Sequence, residues 1–128
     1  MSLGTYDEDA MEILDPNTLE ALRGLQEDGD DDLLTELIDL FLEDAPRRVD
    51  GMRDAIVRED WPALTSWAHS LRGSCGSLGA LRLAELCGRL EQLGRGGGGR
   101  PDAELVYREI EGQYGLVLEA LQRERSTV

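Results

Sequence analysis

The residue best suited to chemistry in this chain is its only histidine, His69. A neutral imidazole is a good nucleophile near pH 7, because the unperturbed pKa of imidazole is about 6.5. Arg72 and Gly73 follow at i+3 and i+4, so on a helix both would lie beside the ring. The arginine can neutralise an anion and the glycine leaves room next to the imidazole. The spacing therefore predicts a nucleophile that an anionic group of a partner can approach.

The surrounding segment predicts an amphipathic helix with His69 on its outer side. Its buried stripe is formed by apolar residues spaced alternately by three and four, namely Trp61, Leu64, Ala68, Leu71, Cys75 and Leu78. At about 100° per residue, His69 lies roughly 130° from the centre of this stripe, with Gly73 and Gly76 near it. A lone helical histidine is usually an ordinary surface residue. Glycine inside a helix costs about 0.5 to 1 kcal/mol relative to alanine, however, which indicates that another backbone approaches here.

The stretch AHSLRGSCGSLGA, residues 68–80, resembles the signature of histidine-containing phosphotransfer (HPt) domains. That signature has a histidine, a hydrophobic residue at +2, usually lysine at +3, glycine at +4, then small residues and Gly-Ala. Arg72 takes the place of the lysine and keeps its charge. The residues that match the signature as they stand are His69, Leu71, Gly73, Ser74, Gly79 and Ala80.

The resemblance implies a phosphorelay carrier that accepts and donates a phosphoryl group on His69. The implied partners are response-regulator receiver domains, whose aspartate exchanges the group, and a sensor histidine kinase, which can be a hybrid one. In similar proteins a polar residue on the following helix orients the imidazole. Glu91 stands at that place, and its neighbour Gln92 is the alternative.

Partner docking is expected at Gly73 and Gly76, together with apolar residues exposed on the adjacent long helix. Helical phase suggests Leu37 for this role, with a place in the core as its alternative. A rival function is an acidic helical adaptor that docks receiver domains without carrying phosphate. The sequence leaves open the identity of the kinase and receiver, and whether the chain is a fragment of a hybrid kinase.

The first half of the chain predicts a tail and two helices. Residues 1–14 are acidic or small with little periodicity and predict a disordered tail, and residues 15–125 predict the bundle domain. A short helix is expected over 16–26, burying Leu19, Leu22 and Leu25, and the acidic loop 27–32 follows. A long helix is expected over 33–59, and Pro46 should kink or split it.

The second half predicts three more helices. The histidine helix begins at Trp61, after Asp60 as its cap, and ends between Gly76 and Gly79. A helix over 81–93 follows, then a flexible linker over 94–101, then a last helix over 102–123 with Val106, Ile110, Val117 and Leu121 inward. The predicted fold is all-α, an antiparallel up-down four-helix bundle with a short additional N-terminal helix.

Composition excludes several classes of function. The net charge is −14 in 128 residues, which argues against nucleic acid and anionic membrane surfaces as partners. No apolar run spans a membrane and no signal peptide opens the chain, so a cytoplasmic protein is expected. Two cysteines and one histidine match no zinc motif, and no nucleotide loop is present. We expect no cofactor, no metal and no kinase activity, and a monomer.

Overall fold

The computed structural model describes residues 13–25 and 33–126, and within these ranges all regular structure is helical. The elements are α1 (Pro16–Gly24), α2 (Leu33–Arg58), α3 (Trp61–Ser77), α4 (Leu81–Gln92), a π-helical turn (Leu93–Gly97) and α5 (Arg100–Ser126). Helices α2 and α4 each pack against both α3 and α5, which closes a four-helix ring. The predicted bundle with a short extra helix is confirmed. The acidic loop 27–32 and residues 1–12 of the predicted tail lie outside the described residues.

The ends of α3 are set by local hydrogen bonds. Asp60 caps its start, since the carboxylate accepts a hydrogen bond from the amide of Ala63 at 3.2 Å. After its last turn the amide of Ala80 donates to the Cys75 carbonyl at 2.9 Å, and Gly79 adopts a φ of 80°. That left-handed conformation suits glycine, so Gly79 terminates the helix and lies outside it. His69 is thereby placed in the middle of a regular helix.

The core follows the predicted apolar stripes. On α3 the stripe is buried at Leu64, Ala68, Leu71 and Cys75, whereas Trp61 is half-buried. Val106 is also half-buried, and Leu25 is exposed after the end of α1, so its predicted burial was wrong.

Pro46 does not split α2, which runs unbroken from Leu33 to Arg58. The ring of Pro46 is exposed, while Ala45 and Val49 beside it are buried in the core. A proline inside a helix removes one backbone hydrogen bond. Because the stripe on either side of Pro46 packs into the bundle, tertiary packing holds the helix together.

The glycine-rich segment predicted as a flexible linker is largely ordered structure. Residues Leu93–Gly97 form a π-helical turn that follows α4 and is kinked at Gly96, where the backbone is not helical. Helix α5 begins at Arg100, before the predicted start. Gly94 is buried and allows close packing of this turn on α3. The sequence pattern missed this because glycine composition indicates flexibility only where the backbone makes no such contact.

The N-terminal helix is tied to the turn between α3 and α4. The amide of Asp15 donates to the Gly79 carbonyl at 2.8 Å. The hydroxyl of Thr18 in turn donates to the Asp15 carboxylate at 2.8 Å. Leu14 is buried in the core, so the folded unit already includes residue 14, which was predicted to belong to the tail.

Candidate functional site

His69 is exposed on the outer face of α3. Its side chain is 63% exposed, while Ala68 and Leu71 on the other side of the helix are fully buried. The prediction of a solvent-facing imidazole is confirmed. Gly73 and Gly76 are also exposed, and a Cβ atom added at either would meet nothing within 4 Å. The surface beside the ring is open.

Glu91 of α4 contacts the imidazole from the buried side of the ring. Only 3% of this residue is exposed, and its Oε2 lies 3.1 Å from His69 Nδ1. A carboxylate can only accept a hydrogen bond, so Nδ1 carries the proton and donates it. The other ring nitrogen, Nε2, then keeps its lone pair. Gln92, the alternative candidate, is exposed and lines a cleft between α4 and α5 instead.

Two arginines share the same carboxylate. Arg72 Nη2 lies 3.5 Å from Glu91 Oε1, and Arg95 Nη2 donates to Oε2 at 2.8 Å. Arg72 Nη2 is also 3.3 Å from His69 Nδ1. Nδ1 already donates its proton to Glu91, so it cannot also accept a hydrogen bond from Arg72. Arg72 and the protonated Nδ1 are two neighbouring donors that both face the Glu91 carboxylate. The site is a buried carboxylate surrounded by an imidazole and two guanidinium groups.

Charge compensation explains why a carboxylate can be buried here. A buried anion destabilises the fold unless it is paired and hydrogen-bonded. Oε2 of Glu91 accepts from both His69 and Arg95, whereas Oε1 accepts no hydrogen bond from any described residue and faces Arg72. Arg72 thus supplies charge without a close hydrogen bond, and its guanidinium stays available to another anion.

Arg95 was missed by the sequence reasoning because it lies in the segment interpreted as a linker. The sequence feature that could have indicated Arg95 is its i, i+4 spacing from Glu91, because residues at this spacing lie on the same face of a helix. That spacing carries information only if the helix continues past residue 93, and the π-helical turn makes it continue.

A shallow groove runs between α2 and α3 beside the open glycine surface. Its volume is about 190 Å³, and at one point Arg48 donates a hydrogen bond to the Ser74 hydroxyl. Leu37 is half-buried against the core and lines the groove, and Leu40 is 54% exposed there. The lining residues of α3 are Ser74 and Ser77, with Leu78 just after the helix.

Neither a metal site nor a membrane-spanning helix is present in the described ranges, 13–25 and 33–126. No group of three or more histidine, cysteine or acidic side chains in these ranges is arranged to hold a metal ion. In the same ranges no helix combines the length and apolar character needed to cross a bilayer.

The fold and the site together define a class, a helical bundle built around one exposed histidine. The model of the Hpt domain family matches residues 36–126, and this chain belongs to that family. Domains of this family are histidine phosphocarriers in two-component signalling.

Individual relatives agree with the family match. Histidine-containing phosphotransfer protein 5 of Arabidopsis thaliana is 32% identical over 74 residues, which is 56% of this chain and 47% of the plant protein. The signal transduction histidine-protein kinase BarA of Escherichia coli (strain K12) is 33% identical over 102 residues, 77% of this chain and 11% of the kinase. The chain thus spans about half the length of the plant relative and a small part of the kinase.

A solved structure shares the whole architecture. The crystal structure of histidine-containing phosphotransfer protein B (HptB) from Pseudomonas aeruginosa PAO1 has a TM-score of 0.77 to this chain at 28% identity. The superposition covers 91% of this chain and 96% of that one. The similarity therefore extends over the full bundle and is not limited to the histidine motif.

Proposed function

We propose that this chain is a phosphorelay carrier that takes a phosphoryl group onto His69 Nε2 and exchanges it with the aspartate of receiver domains. One observation supports this most strongly. The imidazole is exposed while its Nδ1 is bound by the buried Glu91, so the lone pair of Nε2 is the free nucleophile.

The transfer needs no proton to leave the ring. Nε2 attacks the phosphorus of an aspartyl phosphate, so a P–N bond forms while the P–O bond breaks and the aspartate departs as a carboxylate. The ring keeps its Nδ1 proton and gains positive charge, which the Glu91 carboxylate stabilises at 3.1 Å. The reverse reaction returns the phosphoryl group to an aspartate by the same path. The hydrogen bond to Glu91 keeps the ring oriented for transfer in either direction.

Arg72 is suited to bind the incoming phosphoryl oxygens. Its side chain is 45% exposed, and it sits one helical turn after His69. Phosphoryl transfer depends on positioning and charge neutralisation more than on covalent machinery. A carrier with one nucleophile and one nearby guanidinium is sufficient, and the magnesium ion and acidic pocket would be supplied by the receiver.

The charge pattern of α3 supports docking of an acidic receiver pocket. Helix Trp61–Ser77 contains no acidic residue, although the whole chain carries a net charge of −14. An acidic surface that approaches this helix would contact Arg72 and the unobstructed surface at Gly73 and Gly76. The groove that contains Leu37 adds an apolar contact next to it. These residues form the proposed docking surface.

The source of the phosphoryl group is proposed to be a sensor histidine kinase, a class to which one of the relatives belongs. We also propose that residues 15–125, together with the buried Leu14, act as the functional unit. A monomer in the cytoplasm is the simplest setting for such a shuttle.

The direct test is incubation with a phosphorylated receiver domain. Label should move onto this chain, survive alkali and be lost in acid, because it is held by a P–N bond. His69→Gln should remain folded, because the side chain is exposed, and should take no label. Equal labelling of the folded His69→Gln variant would refute the carrier function. Receiver binding without label on the wild-type protein would establish the adaptor function instead.

Docking is tested at the open glycine surface. Gly73→Trp should abolish or strongly weaken the receiver complex, because an indole would occupy the ground next to His69. The matched control is Gly112→Trp on α5, where a Cβ likewise meets nothing within 4 Å. Calorimetric titration with the receiver measures both affinities. Unchanged affinity for the Gly73 variant would place docking elsewhere.

A further inference from the structure

The π-helical turn Leu93–Gly97 follows α4 directly and begins two residues after Glu91. The turn ends in a kink between α4 and α5, because Gly96 has a non-helical backbone with a φ of 111°. The turn is therefore a specific local structure next to the candidate site.

Gly94 fixes the turn against α3. A Cβ atom at this position would overlap Thr65 Oγ1 and would lie 3.1 Å from both the Thr65 amide nitrogen and the Trp61 carbonyl oxygen. Backbone atoms cannot move aside without distorting α3, so any larger residue would push the turn away. The contact lies one helical turn before His69, on the same helix.

Arg95 connects this turn to the imidazole through Glu91. Its Nη2 donates at 2.8 Å to Oε2, the same oxygen that accepts from His69 Nδ1. Charge-assisted hydrogen bonds are roughly twice as strong as neutral ones. Because two donors converge on one oxygen, rotation of the carboxylate would break both contacts. The orientation of Glu91 therefore depends on where Arg95 stands.

We propose that the π-helical turn is the positioning device of the site. Gly94 seats the turn on α3, Arg95 holds Glu91, and Glu91 keeps His69 in the tautomer with the proton on Nδ1. Gly94 and Arg95 are positioning residues that do not touch the phosphoryl group in this account. The role of this turn in phosphoryl transfer rests on the proposed carrier function. Its effect on the tautomer of His69 does not.

The tautomer of His69 can be measured without any phosphate. Because His69 is the only histidine, ¹⁵N NMR of a histidine-labelled sample gives one pair of imidazole signals, whose shifts report which nitrogen carries the proton. The wild-type ring should be almost entirely protonated on Nδ1 at a pH where it is neutral. Arg95→Met, which keeps the stem and removes the donors, should raise the ratio of Nε2–H to Nδ1–H by about tenfold.

The remaining variants separate positioning from general damage. Arg95→Lys should restore most of the wild-type ratio, and Arg89→Met, on the other side of α4, should leave it unchanged. Gly94→Ala should shift the tautomer like Arg95→Met, whereas Gly99→Ala, with ordinary contact distances, should not. If Gly94→Ala fails to fold, Arg95→Met still decides, because its side chain is 65% exposed.

An unchanged tautomer in folded Arg95→Met would overturn the inference. An equal shift in Arg89→Met would do the same, since it would show that the effect does not depend on the contact with Glu91. Failure of the wild-type protein to accept label from a receiver, with the tautomer shift present, would refute the carrier function and leave the positioning device standing.

Discussion

Helices α3 and α4 present two pairs of reactive side chains with opposite properties. His69 and Glu91 form one pair, with an imidazole that is 63% exposed. Cys75 and Cys87 belong to the same two helices and are both fully buried and free. Hydrogen bonding with Cys87 and burial raise the pKa of the Cys75 thiol far above its ordinary value. The helix pair α3 and α4 thus leaves the imidazole of His69 accessible and keeps the thiol of Cys75 protonated.

The comparison teaches that access and charge compensation decide which group reacts. Near His69, Arg72 and Arg95 stabilise a buried carboxylate, and that carboxylate accepts the hydrogen bond from the exposed ring. Near the cysteines, Arg48 lowers the pKa of Cys75, but this effect is smaller than those of the contact with Cys87 and of burial. A thiolate is therefore disfavoured at Cys75.

The largest expected effect comes from removing each nucleophile in turn. His69→Ala should abolish labelling by a phosphorylated receiver. Cys75→Ala should retain full labelling, although the lost packing destabilises the fold by about 1 kcal/mol. Scintillation counting of gel bands measures the label, and thermal unfolding measures stability. Loss of label in folded Cys75→Ala would mean that the two pairs are not functionally separate.

The buried thiols should be protected from modification. In the native protein, alkylation of Cys75 and Cys87 requires opening of the bundle, so it should be at least about a thousandfold slower than in denaturant. The raised pKa of Cys75 has a definite consequence for pH dependence. That thiol stays protonated in the folded state as the pH rises from 7 to 9, so only the opened chain reacts and the ratio of the native to the denatured alkylation rate should stay nearly constant. A native rate that rises much more steeply with pH than the denatured rate would contradict the burial of the thiol. Mass spectrometry of alkylated samples reports both rates.

Removing the carboxylate should impair the imidazole. Glu91→Ala should slow transfer from a receiver by roughly a hundredfold, because the ring loses the group that fixes its tautomer and stabilises its charge. Glu91→Gln should be slowed less, since the amide oxygen still accepts from Nδ1. Glu85→Ala is the control, because Glu85 is an exposed glutamate on the same helix that pairs with Arg82. Rapid-quench kinetics compare the rates, and an unaffected Glu91→Ala would reduce Glu91 to a structural residue.

The smallest effect is expected for the neighbouring cation. Arg72→Ala should slow transfer by about tenfold. The stability should fall by only about 1 kcal/mol, because Arg95 still pairs with the buried Glu91. Arg82→Ala, with a similar exposure and a single partner at i+3, serves as the control. Equal rates for these two variants would show that Arg72 plays no part in binding the phosphoryl group.

Much of the fold could be predicted from periodicity. The stripe through Leu64, Ala68, Leu71 and Cys75 fixed which side of α3 is buried, and hence that His69 is exposed. The contact of Glu91 with His69 could not be derived from spacing within one helix, because it joins two helices. Only the resemblance to a known family indicated residue 91, and the choice between it and Gln92 needed the register of α4 against α3.

The main errors concern proline and glycine. Pro46 was predicted to kink or split α2, and the split does not occur, because tertiary packing outweighs the local effect of the proline. The run of glycines predicted a flexible linker, although Gly94 is where two backbones meet closely and Arg95 is held beside the site. Composition reports the freedom of the isolated chain, whereas these contacts exist only in the folded bundle.

The central claim is that Glu91 occupies Nδ1 of His69 and leaves Nε2 to carry the phosphoryl group. The most direct measurement is ¹⁵N and ³¹P NMR of the histidine-labelled protein after transfer from a phosphorylated receiver. We predict phosphorus bonded to Nε2, with the proton retained on Nδ1. Phosphorus bonded to Nδ1, or to no atom of His69, would contradict the account.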